Sequence, residues 1–225
     1  MQTYAQYCPI SRTLDIVGDR WTLLVIRELI IGSTRFNEIA RGLPGLSRGL
    51  LSRRLRQLEG AGVIEREDGA YRLTPAGEDL QGLVMQLAEW GSRHAFGPPE
   101  EQELDPDLLM WWMHDRINTQ DIAKRVVVQI HMTDVRRHYW LVLEPADASV
   151  CFTDPGFEVD GLLKGDLSML YRVWLGDADL RTALRDGDLA LTGRQAVVRG
   201  LPRWLSLSIV APFVQAARAE AAAAR

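Results

Sequence analysis

Apolar residues along this chain follow two different rhythms. Between Ser47 and Glu59, Leu51, Leu55 and Leu58 recur at the spacing of an amphipathic helix with one face against a core. From Arg125 to Met132 the rhythm is that of a strand: Val126, Val128, Ile130 and Met132 alternate with Val127, Gln129 and His131, so one face is fully apolar. The chain is therefore read as α+β, with a helix-based first half and a sheet-based second half.

Punctuation refines the first half. Gly42-Leu43-Pro44-Gly45 breaks the chain between two helices, and Ser47 stands where an N-cap opens the second one. Gly60 and Gly62 close that helix. Val63 to Glu67 and Ala70 to Leu73 then predict a strand pair around an Asp68-Gly69 hairpin turn. Thr74-Pro75 supplies a cap and a first-position proline for another helix, running to about Trp90 or beyond. Helix, tight turn, helix and two-stranded wing, in that order, make a winged helix-turn-helix.

At about 100° per residue, the side of the 47–59 helix opposite its leucines centres on Gly49, Arg53 and Gln57, with Arg56 on its edge. An arginine fork grips a phosphate or both acceptors of a guanine edge, and glutamine pairs with adenine. An arginine-rich face is also what any solvated helix shows; the turn before it and the wing after it favour DNA. The candidate DNA contacts are Arg35, Ser47, Arg48, Gly49, Ser52, Arg53, Arg56 and Gln57, with Arg66 and Arg72 flanking the wing. Gly49 offers no side chain to a base, which leaves reading at that position open.

The first half also carries Cys8-Pro9-Ile10, the run from Leu14 through Gly18-Asp19-Arg20-Trp21 to Leu29, Arg35-Phe36-Asn37-Glu38, Leu43-Pro44-Gly45-Leu46-Ser47, Leu50-Leu51-Ser52-Arg53-Arg54-Leu55 and Leu73-Thr74-Pro75-Ala76-Gly77. Together these resemble the HxlR family of bacterial transcriptional regulators, over roughly residues 5 to 95. The resemblance implies a homodimer with the recognition helix and wing on double-stranded DNA and the first and last helices of the domain at the dimer interface. It also implies relatives that sense redox state or electrophiles through a cysteine near Cys8.

Composition sets outer bounds. The 225 residues, 47% of them hydrophobic, suffice for two cores, and the net charge of −4 argues at first against a polyanionic partner. Its distribution matters more: up to Gly97 there are twelve arginines, no lysine and eleven acidic residues, a balance of about +1, so the remainder carries about −5. DNA binding then uses local arginines, not a global field. The sequence lacks an apolar run of the roughly 20 residues that span a bilayer, and its first ten residues lack signal-peptide character; a cytoplasmic protein with no membrane partner is expected.

Two cysteines, Cys8 and Cys151, make no disulfide framework. Cys8 precedes Pro9 at the start of a helix, where backbone N–H groups lower a thiol pKa. Two readings stay open: a redox or electrophile sensor, or a small apolar residue packed at the dimer interface.

Gly97-Pro98-Pro99 cannot continue a helix, and the acidic stretch after it suits a linker. The expected division is 1–97 for DNA binding and dimerisation, 98–106 as linker and 107–225 as a second domain. There, Asp105 or Asp107 opens a helix over Leu108 to Asn118, and strand-like runs cover Arg125 to Met132, His138 to Leu143 and Ser149 to Thr153 as an antiparallel meander. A fourth candidate strand spans Phe157 to Lys164, followed by a helix to about Trp174, a second short helix, a strand near Leu189 to Leu191 and a closing amphipathic helix over Leu201 to Ala217.

The runs Leu170-Tyr171-Arg172-Val173-Trp174-Leu175-Gly176, Ala183-Leu184-Arg185-Asp186-Gly187 and Leu191-Thr192-Gly193 resemble the sterol-carrier-protein-like domain over roughly 105 to 217. That likeness implies an α/β layer with a mainly antiparallel sheet and an apolar tunnel for a fatty or sterol-like effector. Trp111, Trp112, Trp140, Phe157, Met169, Trp174 and Trp204 are the candidate pocket residues; large apolar side chains line ligand pockets, and they equally fill cores.

Catalytic patterns are lacking. His94, His114, His131 and His138 show no metal-site spacing, and there is no phosphate-cradling glycine loop, nucleophile elbow or Ser/His/Asp set. No cofactor, no metal and no enzymatic activity are expected. Two functions remain: a ligand-responsive DNA-binding regulator, or a carrier of apolar molecules whose winged helix serves mainly for dimerisation.

Overall fold

Leu51, Leu55 and Leu58 are almost wholly withdrawn from solvent in the computed structural model, which describes residues 3–223. Each such burial favours folding by roughly 1.5–3 kcal/mol. Chain contacts divide the protein into two compact units, Met1–Ala88 and Glu89–Arg225. The segment expected as a linker belongs to the second.

The first unit runs through α1 (Pro9–Val17), α2 (Thr22–Ile30), α3 (Phe36–Arg41), α4 (Arg48–Gly60), the hairpin β1 (Ile64–Glu67) and β2 (Ala70–Leu73), one helical turn α5 (Pro75–Glu78) and the start of α6 (Leu80–His94), whose last six residues belong to the second unit. Ser47 caps α4, its hydroxyl accepting the Leu50 N–H at 3.3 Å, a contact worth about 1 kcal/mol. The wing turns as its sequence asks: Asp68 and Gly69 both have positive φ, +48° and +75°, the pair a tight hairpin requires. Thr74 caps α5 by accepting the Gly77 N–H at 3.2 Å. The single helix expected from Thr74-Pro75 onward is in fact α5 and α6, jointed at Asp79. Gly77 lets α5 press on the hairpin, since a Cβ there would lie 2.1 Å from the Val63 carbonyl oxygen.

The second unit opens with a 3₁₀ turn (Glu101–Glu103) and α7 (Pro106–His114), capped by Asp105, which accepts from the Asp107 and Leu108 N–H groups. Then come β3 (Val126–Met132), β4 (Arg137–Glu144), β5 (Asp147–Cys151), β6 (Gly161–Gly165), α8 (Leu167–Trp174), α9 (Leu180–Asp186), β7 (Leu189–Gly193), α10 (Gln195–Trp204) and α11 (Ala211–Ala223). The strands form one sheet in the order β5-β4-β3-β6-β7. Val128, Ile130 and Met132 face a core shared with α7, α8 and α10, as the alternation requires.

Three expectations need correction. The sheet is mixed, not mainly antiparallel: β3, β4 and β5 form the meander, but β6 lies parallel to β3. After β5 the chain crosses past two strands through residues 152–160 before entering β6 in the direction of β3, and nine residues reach about 30 Å, enough for that path. Second, β6 starts at Gly161, not Phe157. The four residues before it form the end of the crossover, and Asp160 fastens it: its carboxylate accepts the Val127 N–H at 2.8 Å and pairs with Arg194. Asp160 is accordingly buried, 7% exposed. Third, the closing amphipathic stretch is two helices, with residues 205–210 non-helical between them and Pro212 in the first turn of α11.

Candidate nucleic-acid interface

The helix-turn-helix is built from behind. Arg54 sits in the same stripe as Leu51, Leu55 and Leu58 and is 7% exposed. Its guanidinium pairs with Asp19, donates to the Arg20 carbonyl at 3.3 Å and donates to Gln57 Oε1 at 2.7 Å. The upstream Gly18-Asp19-Arg20-Trp21 run thereby fixes the azimuth of α4. Trp21 begins α2 in a left-handed conformation, φ +78°, with the Arg20 guanidinium 5.6 Å from its ring.

The turn before α4 is held in a comparable way. Glu28 is wholly buried, and Arg27 donates to its Oε1 at 2.6 and 3.1 Å and to the Gly42 carbonyl at 3.2 Å. A Cβ at Gly42 would fall 1.8 Å from Glu28 Oε2, so this glycine makes room for the carboxylate.

On the outward side, Arg48, Gly49, Arg53 and Arg56 are exposed and Ser52 is half-buried. Arg53 has no hydrogen-bond or ion-pair partner among the described residues, whereas Arg56 donates to Ser52 Oγ at 3.0 Å. Arg48 donates to Asn37 Oδ1 at 2.9 Å and lies over the Phe36 ring, joining α4 to α3. Gln57 departs from its expected freedom: it is half-buried, with its amide oxygen held by Arg54. Around Gly49 there is open space, nothing lying within 4 Å of where a Cβ would be.

The wing is tied to the same surface. Arg35 donates to the Asp68 carbonyl at 2.6 Å, joining the start of α3 to the hairpin turn, and the Tyr71 N–H donates to the Thr34 carbonyl at 2.7 Å. Arg66 and Arg72 are exposed on neighbouring strands, Arg66 5.4 Å from the Tyr71 ring. Glu65, Glu67 and Asp68 stand among them, so the wing carries no strong positive field. The sequence reading missed Arg54, Asp19, Arg27 and Glu28. One signal for Arg54 was present: a charge inside an apolar helical stripe needs a partner.

Two further surfaces of the first unit stand open. Tyr7, Ile10 and Leu14, at and along α1, are 96%, 71% and 42% exposed. The fifteen residues of α6 include no buried side chain, yet Leu83, Leu87 and Trp90 recur along one face. Cys8 is the N-cap residue of α1 and half-buried; the Ser11 and Ile10 backbone N–H groups hold its thiol below the ordinary cysteine range. It is a free thiol, as is Cys151 on β5.

The seven apolar pocket candidates of the second unit do not converge on one space. Trp174 and Trp204 are buried in the core, with Met169 and Trp112 packed against it. Trp111 lies against His114, the two rings tilted by 42° with 4.5 Å between centroids. Trp140 lies on the opposite face of the sheet by its register with Gln129, and Phe157, in the crossover, is 40% exposed with the Arg125 guanidinium 4.2 Å from its ring. His131 and His138 stack on that opposite face at 4.2 Å; burial first, then His138 and Lys164, holds His131 below its ordinary pKa. No third ligand joins them: among the described residues no group of three or more His, Cys, Asp or Glu is arranged to hold a metal. No helix there is long and apolar enough to cross a membrane.

The geometry of the first unit defines a winged helix-turn-helix protein. The model of the HxlR-like helix-turn-helix family matches residues 16–97. An HTH-type transcriptional regulator of Mycobacterium tuberculosis, Rv3095, is 35% identical over 131 residues, covering 51% of this chain and 82% of that protein. YybR of Bacillus subtilis, also an HTH-type transcriptional regulator, is 36% identical over 91 residues, covering 37% and 73%. Among solved structures, quinone-bound YodB from B. subtilis shares 34% identity over 37% of this chain and 97% of its own, with a TM-score of 0.36. The chain belongs to the HxlR-like family and is a transcriptional regulator, not an enzyme.

Proposed function

We propose that the protein is a homodimeric regulator that binds palindromic operator DNA through α4 and the β1–β2 wing, with residues 1–97 forming the DNA-binding and dimerisation part and residues 107–225 a sterol-carrier-like part that takes a small-molecule effector. The observation that carries the DNA reading is the division of labour among the α4 arginines: Arg54 is buried and paired, Arg53 is exposed and unpaired. A helix anchored by one arginine and presenting its neighbour suits a major groove. The apolar faces of α1 and α6 support dimerisation, which would set two α4 helices about 34–36 Å apart on one side of the duplex.

A gel-shift titration of the full chain against the DNA upstream of its own coding sequence tests this reading. We expect a salt-sensitive shift, its logarithmic slope growing by about −0.9 per phosphate neutralised. Arg53→Ala is expected to weaken specific binding by about 1–3 kcal/mol if Arg53 contacts a base edge. A folded dimer that gives no shift at moderate salt would remove the DNA reading and leave a carrier of apolar molecules.

A second reading is supported at Cys8, where helix-terminal N–H groups favour the thiolate and the side chain is half-buried. A lowered pKa means more thiolate at a given pH, so Cys8 should be alkylated faster than Cys151 at neutral pH. If Cys8 is the sensor, Cys8→Ser abolishes any oxidant- or quinone-driven change in DNA affinity. A retained response rules it out.

A further inference from the structure

The second unit holds a cavity of about 360 Å³ that none of the tryptophans lines. Its apolar wall comes from Phe96, Pro98, Leu104 and Leu175, and its size falls in the range of small-molecule pockets, roughly 300–1,000 Å³. Three carboxylates, Glu100, Glu103 and Asp177, and one guanidinium, Arg172, also line it.

These carboxylates are not equivalent. Asp177 is neutralised twice, by Arg172 Nε at 2.8 Å and by Arg218 of α11. Glu100 and Glu103 have no cationic partner among the described residues; they cap the 3₁₀ turn, and Gln102 donates to Glu100. The cavity therefore combines an exposed aromatic ring, an apolar wall and, apart from the Asp177 ion pairs, two carboxylates without a cationic partner. A cation beside the face of Phe96 and within the field of Glu100 and Glu103 gains from both, while an anion is repelled.

We propose that this cavity is a binding site for an amphipathic organic cation and that its occupancy regulates the protein; the regulatory half rests on the reading of the chain as a DNA-binding regulator. Connectivity supplies the coupling. Residues 95–99, which form part of the wall, are the direct continuation of α6. Arg93, in the last turn of α6, donates to both carboxylate oxygens of Glu220 in α11, at 3.0 and 3.2 Å. Arg218, two residues earlier on α11, reaches Asp177 in the cavity lining. A molecule seated there touches the chain leaving α6 and one end of the ion-pair relay that holds the last turn of α6, the helix whose apolar face is offered for dimerisation.

Tetraphenylphosphonium and tetraphenylborate share shape and size and differ in the sign of charge, which makes them suitable probes. By calorimetry on the full chain, the phosphonium should bind at least tenfold more tightly than the borate. The double variant Glu100→Gln with Glu103→Gln keeps side chains able to cap the turn, and it should weaken phosphonium binding at least fivefold. Phe96→Ala should weaken it as well. Equal binding of the two ions, or phosphonium binding untouched by these variants, overturns the site.

Gel shifts read the regulation separately. Phosphonium should change operator affinity some 5- to 150-fold in the parent chain and not in the double variant. If the ion binds as described and leaves DNA affinity unchanged, the regulatory half is overturned and the site stands. If the chain binds no DNA at all, the regulator reading fails while calorimetry still decides the site.

Discussion

The two units treat apolar surface in opposite ways. The second gathers a large set of side chains into one core, from Leu109 and Met113 through Ile130 and Leu141 to Trp174 and Trp204, and leaves Phe96, Phe152 and Phe157 partly in solvent. The first has a smaller core around Leu51, Leu55 and Leu58, and leaves Tyr7, Ile10, Leu14 and Leu87 in solvent. The second unit has the fuller core; the first leaves more apolar surface on its helices, the surface proposed above for dimerisation. Core size alone does not explain the difference, because α6 has the amphipathic pattern of a packed helix and no buried residue. Leu80 and Val84 pack, half-buried, against the first unit's core, and the face carrying Leu83 and Leu87 is the one proposed above for dimerisation.

The strongest way to break this comparison is to damage the fuller core. Trp174→Ala should destabilise the second unit by about 3–5 kcal/mol in chemical denaturation, the usual cost of removing a large buried side chain. A loss below 1 kcal/mol would show that the core is loosely packed. In the first unit, Ile10→Asp combined with Leu87→Asp should turn a dimer into a monomer in sedimentation. Because both positions are exposed, the stability of the single chain should stay within about 0.5 kcal/mol. A parent chain that already sediments as a monomer would remove the contrast. The smallest expected effect concerns the outward face of α4: Gly49→Ala meets nothing within 4 Å and should raise thermal stability by about 1 kcal/mol through helix propensity. No gain would mean that the start of α4 is strained in a way its capping geometry does not reveal.

Much of the first unit was legible because its signals are local. Caps at Ser47 and Thr74, the Asp68-Gly69 turn and the leucine stripe each specify geometry within a few residues. What escaped were partners distant in sequence. Gln57 was expected on the open face of the helix, yet it is half-buried, and its engagement by Arg54 depends on Asp19 and Arg20, more than thirty residues upstream. In the second unit the strands could be read from their alternation, yet alternation is blind to direction, and the parallel pairing of β6 with β3 follows from how the chain crosses through residues 152–160. The tryptophans were legible as apolar and not as neighbours: Trp140 and Trp174 lie on opposite sides of one sheet. The cavity drew no notice because its walls come from Phe96, at the end of the expected first domain, and from Pro98 and Glu100, which as a sequence read only as a linker.

The buried Glu28 carboxylate beneath Gly42 also bears on how this protein can diverge. Two positions fourteen residues apart occupy one volume, so the size of one limits the size of the other. Alanine or serine at 42 requires the far end of the Glu28 side chain to move, so among descendants of this chain they should be accepted more readily where residue 28 is smaller. The tolerance of the turn that presents α4 is thus set by a side chain on another helix, and a library randomised at 42 should be enriched in glycine more strongly with Glu28 present than with Glu28→Ala.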